Sequence, residues 1–525
     1  WRVSSDKLLA AKVPSTLTGV LQARLDGLSS DERVALQAAS VIGYVFWNRA
    51  LDAIAPDAAS ALTSLAKREL VIRQRASAIE GAQEYTFKHH VLQQVVYESI
   101  LKSAKLQLHA RAGAWFAALS ETRSGEYSGV TASHYERAGD NEAAVKHFMT
   151  AAETAAGRDA GDAVLDYATR ALALCDTRDL RSRWRLIAIR ERALAYSEDR
   201  AGHAADLDAL EALAEALDGD GLRAEVLFRR ACAYTNTGDF PEAEAAAKRA
   251  RAIAQRARAS SLAVQAFGVE ATACRRMSKY QRARDLAERG LALAREGEDL
   301  AVQADLCRSL AAIYAESGHP AEDQEYRLEA LELFRRLGDR GNISHMLNNV
   351  GDGLERIGDY TGALRCFEEA LQIARKIGRR DNEALVLLNM AAIAVLQGDH
   401  PNARALASDA RAIAAVVGAR DLEAAASLPL GLAELALGAT AQARHHLQHS
   451  RDLFLKNSGH HYALEPIVAL AVTALAENDL AAAMAHLEPA LEHLDGGFAG
   501  AEEPLRMRLM CYQVLAAADD PRSAP

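Results

Sequence analysis

The chain is 525 residues long, 50% hydrophobic but only 6% aromatic, with a formal net charge of −10 at pH 7. Its length exceeds that of a single compact core, and its few aromatic residues argue against a sheet-rich protein, so two or more mainly helical units are expected. The acidic balance argues against nucleic-acid binding, and the absence of a signal peptide and of long apolar runs predicts a cytoplasmic protein without membrane contact.

Residues 1–125 lack the periodicity of the later sequence and are predicted to form a small mixed domain. Pro14 is placed to open the first helix, and Ser29 or Ser30 to cap the second. In chain order, the predicted elements are helices over 14–28, 31–42 and 57–70, β-like runs at 71–75 and 85–88, and helices over 90–101 and 103–119. Three helices, a small hairpin and a further helix are typical of a winged-helix domain.

Several short motifs of this region occur in an order that is known from one family. They are Val13-Pro14-Ser15-Thr16-Leu17, Ala23-Arg24-Leu25-Asp26-Gly27-Leu28, Ala38-Ala39-Ser40-Val41-Ile42-Gly43 and Phe87-Lys88-His89, followed by Gln93 and Tyr97. Together they resemble the winged-helix module that follows the ATPase core in STAND-type signalling ATPases. That family often carries class III adenylate or guanylate cyclases or transcription-factor modules, and helical repeats at its C-terminus.

The resemblance implies a nucleotide-sensing role for His89, whose family counterpart lies near the phosphates of bound ADP. ADP or ATP with Mg would then be held by an ATPase core of the full-length protein, and this segment itself would bind no cofactor. The chain would contact that ATPase core. Because the sequence begins at Trp1 without an initiator methionine, we expect it to be a piece of something larger. The alternative is that His89 is only a packed histidine at a strand end.

Helical repeats are predicted to begin after the first domain. Residues 126–220 match a repeat pattern with an irregular period, as at Ala132, Tyr135, Gly139, Ala144 and Phe148. Residues 221–500 follow a strict spacing of 40 residues, marked by anchors at Gly238, Ser278, Gly318, Gly358, Gly398, Gly438 and Asn478. A terminal helix and tail occupy 501–525.

Small residues recur at fixed distances from these anchors. Seven positions before each anchor lie Ala231, Ala271, Ala311, Gly351, Ala391, Gly431 and Ala471. Small residues there let two antiparallel helices approach closely, and glycine or asparagine at the anchors suits a positive φ between helices. The pattern resembles the tetratricopeptide repeat (TPR), which implies a mainly α fold with a right-handed TPR-type solenoid behind the winged helix.

The first helix of each repeat is expected to line a concave wall whose character changes along the chain. Its earlier part is polar and charged: Arg275, Arg308, His345, Asn348, Asp352 and Glu355. Its later part is apolar: Leu385, Leu388, Leu428, Leu432 and Leu435. An apolar wall is not needed to stack repeats, so a peptide or protein effector is expected to cover it, with Asn348 bonding a peptide backbone. Alternatively, these leucines contact one another.

Three functions remain open from the sequence. The first is a sensor segment of a STAND-like ATPase, in which an effector bound to the repeats controls the nucleotide state and the output domain. The second is a passive TPR scaffold, and the third is a regulator that binds DNA through the winged helix, for which 57–70 supplies only Lys67 and Arg68. No catalytic motif occurs, and the histidines at 445, 446 and 449 are read as a solvated helix face and not as a metal site.

Overall fold

A computed structural model describes residues 15–122, 125–158, 160–195, 197, 199–457, 460–494, 498 and 503–523. The chain divides into two compact units, Trp1–Ala233 and Tyr234–Pro525. Helices dominate both units. Pro14, the residue predicted to open the first helix, lies outside the described residues.

The first unit begins with a mixed region and continues as helices alone. The mixed region contains α1 (Ser15–Asp26), α2 (Ser30–Ile42), β1 (Val45–Trp47), α3 (Asn48–Ile54), a 3-10 helix (Ala58–Ala61), α4 (Leu62–Lys67), β2 (Val71–Arg73), β3 (Glu84–Phe87), α5 (His90–Glu98) and α6 (Lys102–Thr122). The helical part contains α7 (Ser128–Ala138), α8 (Asn141–Ala156), α9 (Gly161–Leu174), α10 (Leu180–Leu194) and α11 (Arg200–Ala216). Helix α12 (Asp220–Thr237) crosses the boundary between the units.

The strands form one antiparallel sheet in the order β1-β3-β2, in which Thr86 of β3 lies opposite Val45 on one side and Ile72 on the other. The sequence predicted the β2–β3 hairpin but neither β1 nor α3. Strand β1 has only three residues, too few to show a two-residue alternation. The predicted helix over 57–70 was also too long, because a 3-10 turn and the shorter α4 occupy that stretch.

A capping box begins α2 and confirms Ser29 as the capping residue. The Ser29 hydroxyl accepts a hydrogen bond from the backbone N–H of Glu32 at 3.2 Å, and the Glu32 carboxylate accepts from the Ser29 N–H at 2.9 Å. The same carboxylate accepts from Arg68 at 2.9 Å. Glu32 therefore both starts α2 and ties it to the segment after α4. Phe46 of β1 and Phe87 of β3 pack in the core beneath.

Two buried histidines join α6 to α7. The Nδ1 atoms of His109 and His134 lie 2.9 Å apart, and the Tyr97 hydroxyl lies 2.9 Å from Nε2 of His109. Burial lowers the pKa of His109 to about 4, helped by the positive charges of Arg137 and Lys105. Burial also lowers the pKa of His134 to about 3, helped by the neighbouring His109 and by Arg137. Both rings are therefore neutral at pH 7, and their hydrogen bond needs one Nδ1 to donate and the other to accept.

Acid is expected to destabilise the first unit through this pair. The native pKa values lie below the ordinary value of 6.5, so the unfolded chain takes up more protons than the native state as the pH falls below 6.5. Each ring should cost about 2 kcal/mol at pH 5 relative to pH 7.5. All four tryptophans precede residue 185, so tryptophan fluorescence in urea reports this unit selectively. Replacing both histidines by glutamine should flatten the pH dependence, and an unchanged slope would contradict the assignment.

The second unit is a succession of helix pairs. Its helices are α13 (Phe240–Arg256), α14 (Ser260–Arg276), α15 (Tyr280–Glu296), α16 (Leu300–Glu316), α17 (Pro320–Leu337), α18 (Arg340–Arg356), α19 (Tyr360–Ile377), α20 (Arg380–Leu396), α21 (His400–Val417), α22 (Arg420–Ala436), α23 (Thr440–Asn457), α24 (His460–Ala476), α25 (Leu480–Leu491) and α26 (Pro504–Ala517). Even-numbered members are called first helices below, because each precedes an anchor or, for α26, the terminal turn. Odd-numbered members are called second helices.

Positive φ angles mark the turns between these helices. Every anchor residue has one, from Ser278 at 59° to Gly238 at 88°, as the glycine and asparagine pattern predicted. A second series follows the second helices, at Arg258, Glu298, Gly338, Gly378 and Gly418. This second series escaped the sequence analysis because arginine and glutamate occupy two of its positions, where no glycine marks the turn.

Glycine is expected to stabilise the turns that hold a larger residue. Ser278 has φ +59° and Glu298 has φ +53°, and a side chain in this left-handed region costs about 1 kcal/mol. Replacing either residue by glycine should raise the free energy of unfolding by about 0.5 kcal/mol, since the flexible unfolded chain offsets part of the gain. Circular dichroism at 222 nm in guanidinium chloride measures this. The reverse change, Gly358→Ala, should destabilise, and equal effects of both changes would contradict the reasoning.

Close helix contacts explain the small residues seven positions before the anchors. A Cβ atom added to Gly351 of α18 would lie 2.4 Å from Cε1 of Phe367 in α19. That distance is a steric clash, so either the phenyl ring or the helix would have to move. In α22, a Cβ atom at Gly431 would lie 2.6 Å from Cγ of Leu447 in α23. The close approach of first and second helices is therefore confirmed at these two pairs.

Candidate functional site

First helices of neighbouring pairs touch one another along the second unit. Contacts join α14 to α16, and they run without interruption from α18 through α20, α22 and α24 to α26. Each first helix also packs against its own second helix, which leaves one face of the row of first helices uncovered. The curvature of helical solenoids creates extended surfaces of this kind, on which several repeats can contact one ligand together.

A groove of about 990 Å³ lies along that face and is called the inner groove. Its lining comes mainly from the five first helices α18, α20, α22, α24 and α26: Asp352, Glu355, Arg356, Tyr360, Leu385, Leu388, Asn389, Ala392, Val395, Leu396, Asp421, Leu422, Ala425, Leu428, Pro429, Leu432, Phe454, His461, Tyr462, Glu465, Glu503, Arg506 and Met507. The volume lies within the range of ligand-binding clefts.

The inner groove contains part of the residue set predicted from the sequence. Six predicted residues line it: Asp352, Glu355, Leu385, Leu388, Leu428 and Leu432. Five others lie outside its lining: Arg275, Arg308, His345, Asn348 and Leu435. The groove thus begins where the predicted wall changes from polar to apolar.

The floor of the groove is apolar, and its leucines differ in burial. Leu385, Leu388 and Leu428 are half-buried and open to the groove. Leu432 is only 7% exposed and belongs to a buried cluster with Leu447 and Leu470. Leu432 therefore packs against neighbouring apolar residues, as the second of the two alternatives predicts, and whether a ligand covers the half-buried leucines stays a prediction.

Three charged residues in the polar part of the predicted wall form ion pairs within the protein. Arg275 forms an ion pair with Glu316, and Arg308 lies 2.8 Å from Asp305. Asp352 lies 3.3 Å from Arg327. Such partly exposed pairs add little to stability.

An amide pair connects the polar wall to the groove. Asn348 is 4% exposed, and its Oδ1 accepts a hydrogen bond from Nδ2 of Asn389 in the next first helix at 3.0 Å. Asn389 itself lines the groove, so it is the amide placed to meet a ligand. His345 lies on the same first helix as Asn348. Burial of its imidazole away from water, and then the positive charges of Arg308 and Arg379, lower the pKa of His345. Its ring is neutral at pH 7.

The terminal helix supplies a side of the groove that the sequence analysis missed. Arg506 of α26 donates to the Glu465 carboxylate of α24 at 2.6 Å, and Met507 lines the groove beside it. Helix α26 therefore occupies the place of one more first helix. The contact could have been anticipated, because Arg506 lies 41 residues after Glu465 and Asn389 lies 41 residues after Asn348.

His89, the candidate nucleotide sensor, is exposed where β3 leads into α5. Its neighbour His90 stacks on Tyr44, with ring centroids 3.6 Å apart and planes 12° from parallel. The stacking fixes His90 and leaves the His89 imidazole facing solvent at the start of a helix. An exposed imidazole at a helix N-terminus can donate a hydrogen bond to an anion.

The described residues contain neither a cluster of metal ligands nor a helix suited to a membrane. Among those residues, no three histidine, cysteine, aspartate or glutamate side chains are arranged to hold a metal ion. His449 instead contacts Glu423 at 2.9 Å. None of the described helices combines the length and the apolar character that crossing a membrane requires.

Comparison with known proteins gives two solved structures of similar fold. One is the signal transduction ATPase with numerous domains (STAND) protein with a tetratricopeptide repeat sensor from Pyrococcus horikoshii, at 13% identity and a TM-score of 0.48, covering 97% of this chain and 67% of that one. The other is the apo form of the quorum sensor NprR from B. thuringiensis, at 13% identity and a TM-score of 0.46, covering 66% of this chain and 97% of that one.

Sequence comparison identifies the repeats themselves. An uncharacterized protein of Rhizobium meliloti (strain 1021) is 30% identical over 169 residues, which is 31% of this chain and 16% of that protein. The tetratricopeptide repeat family model matches residues 303–376 and 342–415. These residues include α18, α19 and α20, so the second unit contains tetratricopeptide repeats and the groove begins within them.

Proposed function

We propose that the chain is the sensor segment of a STAND-like signalling ATPase and that its inner groove binds a peptide or protein effector. The observation that carries this proposal is the groove itself. It is a cleft of about 990 Å³ with half-buried leucines on its floor and charged residues at its edges. Apolar side chains open to a cleft are stabilised when a ligand covers them. The chain itself performs no catalysis in this proposal.

The first 125 residues act in this proposal as a winged-helix module between the sensor and the ATPase. The three-stranded sheet with α2, α4 and α5 around it supports this assignment. Effector binding to the repeats would change how this module contacts the ATPase core, and so shift the population of its ADP-bound state. The output domain would respond to that shift.

His89 is the residue of this chain that would contact the nucleotide. Its exposed position before α5 fits a hydrogen bond from the imidazole to a phosphate oxygen of ADP, whereas the His90 ring is held in a stack on Tyr44. The nucleotide and its Mg would be held by the ATPase core, where they supply the phosphate charge that His89 senses. One histidine adds selectivity between nucleotide states but cannot bind a nucleotide alone.

The sequence encoded before Trp1 tests this proposal first. It should contain a GxxxxGK[S/T] phosphate-binding loop. In the protein that carries both parts, His89→Ala should speed the release of a fluorescent ADP analogue, because one phosphate contact is lost. His493→Ala, which changes an exposed histidine far along the chain, serves as the control.

Two outcomes would contradict the proposal. If no such loop precedes Trp1, the chain has no nucleotide state to control, and a passive TPR scaffold becomes the better assignment. If the loop is present but His89→Ala releases ADP at the original rate, the nucleotide-sensing role of His89 is wrong, while the effector groove is unaffected.

A further inference from the structure

Helix α26 carries an apolar stripe that faces solvent. Leu505 is 78% exposed and Leu509 is 60% exposed. Tyr512 is half-buried and Ala516 is exposed. These four residues follow one another at intervals of four, three and four positions, which places them on one face of the helix. Single exposed leucines are common on protein surfaces, whereas a continuous stripe of this kind indicates a contact surface.

The other side of α26 is built into the second unit. Four of its residues are 0% exposed: Met507, Cys511, Val514 and Leu515. They belong to one buried cluster with residues of α24 and α25. The terminal 3-10 turn (Pro521–Ser523) also contacts α26. The helix is therefore anchored firmly, and the stripe is not the result of a helix that is detached from the repeats.

The equivalent face of α24 shows what such a stripe is built to meet. Moving each residue of the stripe back by the 41 positions that separate Arg506 from Glu465 gives its counterpart in α24: Leu464, Val468, Ala471 and Leu475. The first three counterparts are at most 6% exposed and share one cluster with residues of the second helix α25: Ala483, Leu487 and Ala490. The stripe of α26 therefore corresponds to a face that a second helix covers.

The direction of the missing helix follows from the same comparison. Helix α25 runs antiparallel to α24, because a short turn at Asn478 joins the two. Within the described residues, no second helix follows α26. The last repeat of a solenoid normally carries a polar outer face, and α26 presents leucines there instead. Its stripe is therefore a surface for one more antiparallel helix.

The stripe is complementary to a second copy of itself. When two α26 helices lie antiparallel about a twofold axis between positions 510 and 511, Leu505 of one copy meets Ala516 of the other, and Leu509 meets Tyr512. Each end of the contact then pairs a large residue with a small one. None of these four residues is charged, so no like charges meet within the contact. Arg508 borders the stripe, and its long side chain can extend into solvent.

We propose that two copies of the chain associate through α26, with the stripes of the two helices packed antiparallel about a twofold axis. The row of first helices would then continue from one copy into the other. The two inner grooves would end at the shared contact, because α26 lines the groove with Arg506 and Met507. Association through α26 does not depend on what the inner groove binds.

Sedimentation velocity of the full chain tests the association. A contact between two helices of 14 residues is a small interface, so the dissociation constant should be on the order of tens of micromolar. Between about 1 µM and about 300 µM, the sedimentation coefficient should rise from that of a monomer towards that of a dimer.

Charges placed in the stripe should prevent the association. In the variant Leu505→Glu with Leu509→Glu, the dissociation constant should rise at least about tenfold, because the dimer would bury four carboxylates without partners. Both leucines are exposed in the single chain, so circular dichroism should show unchanged helicity. The matched control is Leu293→Glu with Leu328→Glu, which adds the same charge at leucines exposed on second helices and should still dimerise.

Cross-linking between two variants tests the antiparallel arrangement. Chains with Leu505→Cys are mixed with chains with Ala516→Cys and treated with a short bismaleimide. The mixture should give a cross-linked dimer, because positions 505 and 516 meet across the axis. Each variant alone should give no more than the unmodified chain, which has six cysteines of its own, because two copies of one position lie about 16 Å apart along the helices.

Three results would overturn the proposal. A chain that stays monomeric over the whole concentration range would leave the stripe to a further helix or to a different protein. Equal dimerisation of the original chain and the Leu505→Glu, Leu509→Glu variant would place the contact elsewhere. Cross-linking of Leu505→Cys with itself would show a parallel pair. If the glutamate variant loses helicity, the cross-linking result decides alone, and none of these results bears on binding in the inner groove.

Discussion

Replacing Phe367 by alanine is expected to lower the free energy of unfolding of the second unit by about 3–5 kcal/mol. The Phe367 side chain is 0% exposed and lies in the largest buried cluster of that unit, against α18. Its removal leaves a cavity between α18 and α19, the pair that leads into the groove. Neighbouring repeats stabilise one another in a solenoid, so the loss should spread to the repeats on both sides.

Circular dichroism at 222 nm in guanidinium chloride measures the effect, and tryptophan fluorescence of the first unit provides an internal reference. A matched control is Leu328→Ala, since that leucine is 49% exposed on α17 and should cost little. A loss below 1 kcal/mol for Phe367→Ala would mean that this pair of helices does not support the fold.

The contact between Phe367 and Gly351 gives a second check. Gly351→Ala should destabilise by about 1–3 kcal/mol although alanine favours helices, because its Cβ atom would meet the phenyl ring. Gly268→Ala, also within a first helix, should be tolerated, since its Cβ atom would lie 3.4 Å from the nearest atom, Cδ2 of Leu306. Combining Gly351→Ala with Phe367→Leu should cost less than the sum of the two changes.

The sequence predicted the repeats well because backbone geometry restricts the residues at the turns. A positive φ strongly favours glycine or asparagine, so the anchors were visible at Gly358, Gly398 and Asn478 without any structural information. The small residues at Gly351 and Gly431 were visible for a similar reason, since a side chain there would collide with the second helix. The turn at Arg258 was not predicted, because an arginine adopts the positive φ there and the sequence has no glycine that would indicate a turn.

The N-terminal region was predicted less completely because its elements are short. Three residues of β1 pair with β3 across a gap of about forty positions in the sequence, and no local pattern reports such a pairing. A cap at Ser29 or Ser30 was predicted because serine is a preferred capping residue, and the capping box with Glu32 decides for Ser29. His90 stacks on Tyr44, a contact between distant positions that no local sequence pattern reports.

The residues of the candidate site could be predicted where their position on a single helix decides which way they face. They could not be predicted where the packing of several helices decides it. Leu385 and Leu388 were found because their distance from the anchor places them on the open face of a first helix. Whether a leucine at that face is open or packed depends on the next repeats, which is why Leu428 and Leu432 differ although both were assigned to the wall. Arg506 was missed because its helix, although predicted as the terminal helix, was not counted among the first helices that line the wall.

Replacing Leu385 and Leu388 together by glutamine is expected to weaken binding of a peptide held in the inner groove by about a hundredfold or more. Each leucine covered by a ligand contributes about 1.5 kcal/mol, and two such losses correspond to more than a factor of 100. Glutamine has a similar size and no charge, so the change removes apolar contact without altering the net charge of the groove. Both leucines are half-buried in the free protein, so helicity and the unfolding midpoint should remain nearly unchanged.

Fluorescence anisotropy of the labelled peptide measures the affinity, and circular dichroism verifies the fold. The matched control is Leu293→Gln with Leu328→Gln, because these leucines are 40% and 49% exposed on second helices and do not line the groove. If the control weakens binding as strongly as the groove variant, the peptide is held elsewhere on the surface. If the groove variant unfolds instead, Leu385 and Leu388 belong to the core, and the leucine floor is a packing surface between repeats and no binding site.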